Sequence, residues 1–393
     1  MKITGVRSVN YVYETDRVLS DANARRGRKL FSGMIIYIDT DEGITGINPL
    51  STPDSEPLIN VLSSLIIGKD PRGVVGLWKI MMDYVFKRGN RAASSSAVSA
   101  IDIALWDLKA KINNEPLWKT LGASNRRVKA YASDLGILLS DTELESFYLS
   151  LAKRGVNAGK LKVGLDRERD IVRLGIMKKA LETSGKKPFL MIDSNEYWTP
   201  KQAITHIKAI EKEFELFWCE EPARRWDYVG LRRVSEAINA SVATGENLND
   251  ASEFMPLIDN HAADILQIGA MTSGITGALQ VANLAYAFEL PVSVMNIPAN
   301  ISAHLAAVLP NHNMMEVVEG GREKILKSDN FIEDGFIVLG DKPGLGVEII
   351  PEKLEKAIVE SIPREGLASP EGRRKSAALV HLTEEERLLI EDE

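Results

Sequence analysis

Three acidic residues recur along the middle of this 393-residue chain at the pace of a repeating unit. Asp193 closes the run FLMIDSN, Glu220 the run LFWCEEP and Glu246 the run VATGEN, with separations of 27 and 26 residues. The ends of neighbouring parallel strands lie about 4.8 Å apart, so three carboxylates there repel one another in a partly desolvated cavity unless a cation neutralises them. Carboxylate and water ligands, with no His at a neighbouring strand end, suit Mg²⁺, or Mn²⁺ as a substitute, rather than zinc. One repeat upstream stands Lys160-Leu161-Lys162, whose two ammonium groups share one strand face. A neighbouring ammonium and partial desolvation both lower a lysine pKa, which predicts a base active near neutral pH. Together these groups describe one reaction type: a lysine removes the proton α to a carboxylate while a metal ion holds the ene-diolate.

The elements that must position these residues alternate. From about Val128, eight strand candidates (128–133, 160–163, 189–193, 216–220, 242–245, 264–268, 292–295 and 314–318) are separated by amphipathic stretches such as Asp166–Glu182, Thr199–Phe214 and Gly274–Phe288. Strand, crossover helix and parallel strand repeated to eight predict a closed barrel, which carries its chemistry at the strands' C-terminal ends. Before it, strand runs at Ile3–Tyr13 and Phe31–Ile38 precede a helical pattern at Ser95–Ile112, predicting a small α+β domain. The expected division is an N-terminal part of that domain over 1–125, the barrel over 126–320, a return to the first domain over 321–360, including a hairpin at Asp334–Val347 packed on it, and a charged appendage over 361–393. Thr383 to Glu386 in that appendage matches a capping box, which predicts a solvated element or an oligomer contact.

With 48 Lys and Arg against 55 Asp and Glu, the net charge of −7 offers no footprint for nucleic acid or an anionic membrane surface. The single cysteine, Cys219, excludes an intrachain disulfide and is expected in the core. No signal-peptide core or membrane-length apolar run is present, so a cytoplasmic chain is expected. The expected partners are a small-molecule carboxylate and further copies of the same chain.

Lys160-x-Lys162, Asp193-x-Asn195, Glu220-Glu221-Pro222, Gly245-Glu246-Asn247, the helix Ala100 to Asp107 and Pro343-Gly344-Leu345-Gly346 together resemble the enolase superfamily, in its mandelate racemase branch. The resemblance spans residues 1 to about 360. It implies a (β/α)₇β modified TIM barrel with an α+β capping domain built from both chain ends. By the same resemblance Asp193, Glu220 and Glu246 bind Mg²⁺, Lys162 is the base and Lys160 tunes it, while Asn195 and Glu316 face the substrate.

Two positions depart from that pattern. Gly269 stands near the Asp expected at the sixth strand and Asn296 where the seventh strand would present a His, so the second acid/base is missing. Asn296 can only hydrogen-bond a substrate hydroxyl or leaving group. One base suffices for a syn β-elimination, which favours an acid-sugar dehydratase over a racemase, epimerase or cycloisomerase. A catalytically silent metal- or metabolite-binding relative is the alternative of another class. The early loop, Glu14 to Lys29, should close over the mouth, and its Arg25 and Arg26 suit a sugar acid or diacid. His304 is expected to be structural.

Overall fold

The computed structural model describes residues 1–360; the appendage predicted over 361–393 lies outside the described residues. Three antiparallel strands, β1 (Ile3–Asp21), β2 (Ala24–Thr40) and β3 (Thr45–Ser51), form one sheet. Helices α1 (Glu56–Ile66), α2 (Val74–Val85) and α3 (Ala93–Ile112) pack behind it, followed by the short α4 (Leu117–Thr120). Helix α3 is buried on nearly every side because it is shared between the cap and the barrel.

Eight parallel strands then close on themselves: β4 (Arg127–Ser133), β5 (Ala158–Lys162), β6 (Phe189–Asp193), β7 (Leu216–Glu220), β8 (Ser241–Thr244), β9 (Ile265–Ile268), β10 (Val292–Val294) and β11 (His312–Val317), with β11 pairing back onto β4. Between them run α5 (Asp141–Ala152), α6 (Arg167–Glu182), α7 (Pro200–Ile210), α8 (Tyr228–Ser235), α9 (Ala251–Asp259), α10 (Ala270–Ala287) and α11 (Ala303–Ala306). Their starts follow the local chemistry: Ser140 and Thr199 form capping boxes, and Pro200 occupies the first turn of α7.

The tail of the described chain adds β12 (Leu326–Ser328), β13 (Phe331–Glu333), β14 (Phe336–Val338), β15 (Val347–Ile349) and α12 (Pro351–Ala357). The segment Asp334–Val347, expected as a hairpin packed on the cap, divides: its second half does reach the cap, with the Leu345 N–H donating to Asp107 Oδ1 and the Leu117 N–H to Gly344 O, both at 2.8 Å. Its first half is β14, which pairs antiparallel with β13 on one side and with the N-terminal half of β4 on the other, because Phe336 to Val338 find free edge groups at Arg127 to Lys129. Among the described residues, no helix is long and apolar enough to cross a membrane.

The expected mouth loop is also different: Glu14–Lys29 is the far end of a β1–β2 ribbon that turns at Asp21 to Ala24. Its residues can be largely polar because hydrogen bonds to the barrel hold the ribbon, with only Leu19 and Ala22 buried as apolar contacts. Asp16 donates its N–H to Gly320 O, Ser20 to Leu135 O, and Ile137 back to Ser20 O.

The barrel interior is layered. Tyr131, Ala158, Met191, Trp218, Ala243, Ile265 and Met314 plug its lower part, and two residues further along β5, β6, β7 and β11 the inward positions become Lys160, Asp193, Glu220 and Glu316. Cys219 faces the other way and belongs to the core between barrel and helices.

Candidate active site

Register brings the acidic and basic residues together. Lys162 of β5 lies beside Asp193 of β6, and Asp193 beside Glu220 of β7. Glu246 follows the end of β8 and is partly exposed. Its approach depends on Gly245, whose φ of +129° suits glycine and whose missing Cβ would sit 2.7 Å from Gln267 O. Lys160, Lys162, Asp193, Glu220 and Glu316 are all buried.

Lys160 Nζ stands among three carboxylates: it is hydrogen-bonded to Glu220, 3.1 Å from Glu316 Oε1 and 3.3 Å from Asp193 Oδ2. Lys162 Nζ donates to Asp193 Oδ2 at 2.5 Å and to Asn195 Oδ1 at 2.8 Å. Asn195 in turn donates its N–H to Asp193 Oδ1 at 2.8 Å from a left-handed backbone, φ +48°. That conformation is strained for any residue with a side chain and persists only where its surroundings over-determine it.

The lysine pKa expected to fall does not. Burial pushes Lys162 down, but Asp193, with Glu246 and Glu220 behind it, outweighs both burial and Lys160 and holds the ammonium above the ordinary lysine value. Burial opposes Lys160 too, and Glu220 with Glu316 raises it well above that value. The carboxylates divide accordingly. Against burial, Lys162 and Lys160 bring Asp193 down to about 2, and the same pair holds Glu316 low. Burial pushes Glu220 and Glu246 up, with Asp193 adding to both. Glu221, which accepts from Asn247 Nδ2 at 2.7 Å, is raised by burial, Glu246 and Glu196.

Four carboxyl groups (Asp193, Glu220, Glu246 and Glu316) therefore surround two ammonium groups, and the mutual repulsion that raises Glu220 and Glu246 marks the acidic groups as in excess. Among the described residues, no group of three or more such side chains is drawn together as a metal cage; the Lys160 ammonium occupies the ground between Asp193, Glu220 and Glu316. A cation already sits there, and the residual charge calls for another. An all-oxygen donor set of this kind fits a hard divalent ion.

The far side of the mouth is arranged differently. Asn296 donates its N–H to Glu316 Oε2 at 3.3 Å and its Nδ2 to Glu316 O and Asn300 Oδ1, both at 3.2 Å. Its Oδ1 accepts from Arg322 Nη1 at 3.1 Å, so the amide expected to reach a substrate hydroxyl is engaged on both ends. Arg25 donates to the Tyr197 hydroxyl at 3.3 Å and so fastens the ribbon; Arg26 is exposed. His304 accepts from Trp118 N–H at Nδ1 and faces Leu345 O with Nε2, at 3.1 Å each, away from the mouth.

Sequence reasoning overlooked Arg322 and Tyr13, and gave Asn23 no partner. Asn23 Nδ2 donates to Asn195 O at 2.5 Å and ties the ribbon tip to the residue that holds Lys162. The available signal for Arg322 was Gly320-Gly321 directly before it, both at positive φ (+87° and +81°), packed against Arg17 and Asp16.

Residues 144–353 match the model of the enolase C-terminal domain-like family, and residues 22–122 that of the mandelate racemase/muconate lactonizing enzyme N-terminal domain. The chain belongs to the enolase superfamily. Within it, an L-talarate/galactarate dehydratase of Salmonella typhimurium is 31% identical over 285 residues, 72% of this chain and 70% of that protein. A 3,6-anhydro-alpha-L-galactonate cycloisomerase of Streptomyces coelicolor is 28% identical over 341 residues, 84% of this chain and 92% of the relative. Among solved structures, a racemase from Streptomyces coelicolor with bound magnesium superposes with a TM-score of 0.83 at 26% identity, covering 91% of this chain and all 100% of the other. The superfamily relatives are thus enzymes, divided between lyases and isomerases.

Proposed function

We propose that this superfamily member is a Mg²⁺-dependent acid-sugar dehydratase, which takes the proton α to a carboxylate and expels the β-hydroxyl. The observation that carries the reading is the asymmetry of the mouth: a buried lysine, Lys162, held by Asp193 and Asn195 on one side, and an engaged amide, Asn296, on the other. The Salmonella dehydratase and the magnesium in the Streptomyces racemase support it.

Asp193, Glu220 and Glu246 would hold the cation. Bound there, Mg²⁺ supplies positive charge beside the substrate carboxylate and takes up the Asp193 charge that otherwise keeps Lys162 protonated. Lys160 stays an ammonium under Glu316 and donates to a substrate carboxylate oxygen. Asn195 fixes the direction of the Lys162 amine, which removes the α-proton. The resulting ammonium, on the same face, returns that proton to the departing hydroxide, so water leaves and the enol product becomes a 2-keto acid. Water-poor surroundings strengthen each of these interactions.

An isomerase is the second reading, favoured by the cycloisomerase relative; it requires a proton donor other than Asn296 or Gly269. The deciding experiment screens acid sugars for 2-keto acid formation with Mg²⁺ and follows solvent-deuterium exchange at the α-carbon. Lys162→Ala should abolish exchange. Exchange at the parent rate in that variant assigns the base elsewhere, and epimerised substrate without keto acid assigns the chain to the isomerases.

A further inference from the structure

The cations around the mouth are nearly all spoken for. Lys160 and Lys162 face the carboxylates, Arg154 grips Glu319 through two hydrogen bonds, Arg225 does the same with Glu196, and Arg17 caps the carbonyls of Asp134 and Val318. Arg322 differs. Its guanidinium, half-buried, donates Nη1 to Asn296 Oδ1 and lies within electrostatic reach of the Tyr13 hydroxyl of the capping ribbon, and among the described residues no carboxylate pairs with it, although Glu323 lies within electrostatic reach. A guanidinium has five N–H donors in a fixed fork, and one amide oxygen engages only part of it while neutralising none of its charge.

Its place in the cavity is given by a chain of contacts. From Lys160 Nζ to Glu316 Oε1 is 3.1 Å, from Glu316 Oε2 to the Asn296 N–H 3.3 Å, and from Asn296 Oδ1 to Arg322 Nη1 3.1 Å. The fork therefore stands at the rim of the same mouth that holds the reacting groups, on the side away from Lys162. A second guanidinium reinforces it: Arg28 stacks over Phe31 at 4.3 Å and acts electrostatically on the Tyr13 hydroxyl, as Arg322 does. Phe31 stacks in turn on Tyr13, with ring centroids 5.8 Å apart, which stiffens the ribbon wall. The mouth is thus polarised, with surplus negative charge on its floor and unneutralised positive charge on its wall.

We propose that Arg322, braced by Asn296, receives a second carboxylate at the far end of the substrate, so that the enzyme takes dicarboxylic sugar acids in preference to monocarboxylic ones. The proposal rests on the dehydratase reading for which end of the substrate reacts, and adds what holds the other end. A planar fork matches a carboxylate in two parallel hydrogen bonds. A hydroxymethyl end offers no such match and leaves the guanidinium unpaired.

The test uses the intact protein with Mg²⁺ and a panel of hexarates, each matched to the hexonate of the same configuration. Calorimetry measures binding, and α-deuterium exchange is followed in the same samples. The parent protein should bind its best hexarate roughly 10- to 150-fold more tightly than the matched hexonate, the range expected of charged hydrogen bonds. Arg322→Gln should bring that ratio to about 1 with hexonate affinity unchanged, and Arg322→Lys, which keeps the charge without the fork, should retain part of it. A parent ratio near 1, or a ratio that survives in Arg322→Gln, overturns the proposal. A hexonate carrying a terminal phosphate that outcompetes every hexarate overturns it in favour of a phosphorylated substrate. Should hexarates bind selectively through Arg322 without α-exchange, the dehydratase reading fails while the anion site stands; α-exchange with no preference for hexarates gives the reverse.

Discussion

The two sides of the barrel mouth are built on opposite principles. On the β5–β6 side every polar group has a partner of opposite character: Lys162 is tied to Asp193 and Asn195, Asn195 to Asp193, and the ribbon tip to Asn195 through Asn23. On the β10–β11 side an amide holds the central position and the nearest guanidinium lacks a counter-ion. A side with dense, fully paired charge can fix a proton-transferring nitrogen to within a fraction of an ångström, but it cannot adapt. The other side leaves donors open and is the one fitted to recognise differences between ligands.

The largest effect expected from breaking this contrast is on the charge surplus. Adding Mg²⁺ at about a hundred times its Kd should stabilise the parent protein by about 2.7 kcal/mol through mass action alone, read as a rise in Tm. Glu220→Gln should lose most of that rise, and an unchanged Mg²⁺ response would remove Glu220 from the metal site. Next comes the latch on the paired side. Asn23→Ala deletes one side-chain hydrogen bond to the backbone of Asn195, and turnover should fall about 5- to 10-fold with Mg²⁺ affinity preserved. A variant that loses Mg²⁺ binding as well would mean the tip supports the cation site and not the lysine. On the open side, Asn296→Ala should raise KM several-fold while kcat for α-deuterium exchange stays within about 2-fold, because the amide steadies Arg322 and moves no proton. A collapse of kcat would give Asn296 a direct part in the reaction.

A last expectation concerns stability and how the open side is anchored. His304 is buried behind β10, where burial lowers its pKa to about 4 despite the Leu345 carbonyl. Nδ1 accepts the Trp118 N–H, so protonation would replace an accepted bond with a clash of donors. Between pH 6.5 and 4 the unfolded chain binds the extra proton, so stability present above pH 6.5 is lost as the pH falls through that window, by roughly 2 kcal/mol at pH 4.5. An imidazole titration by NMR checks this directly; a midpoint near 6.5 would mean the ring is exposed to water.

Much of this architecture was legible in the sequence. The βα repetition is regular, and apolar strands buried on both faces announce themselves, so the barrel and the strand-end carboxylates could be read from spacing alone. What escaped notice depended on partners distant in sequence. The ribbon beyond Tyr13 looks like a loop because main-chain bonds to Leu135 and Gly320 hold it, and such bonds leave no mark on residue type. The Asp334–Val347 segment was placed wholly on the cap, whereas its β14 half pairs with β4, because an exposed strand edge on β4 is invisible in a linear reading. The Lys162 pKa was expected to fall because its ammonium neighbour was counted and the carboxylate of the next strand was not.

The way the ribbon is fastened has a consequence for how this protein can change. Asp16, Ser20 and Ile137 meet their counterparts through peptide groups, which every amino acid except proline carries. Outside Arg17, Asn23 and Arg25, whose side chains also bind the barrel, substitutions along the ribbon can therefore accumulate without unseating it, while the side chains it presents to incoming molecules are re-sampled. The chemistry below would persist through such drift, making the first thirty residues the natural ground for laboratory evolution towards new substrates.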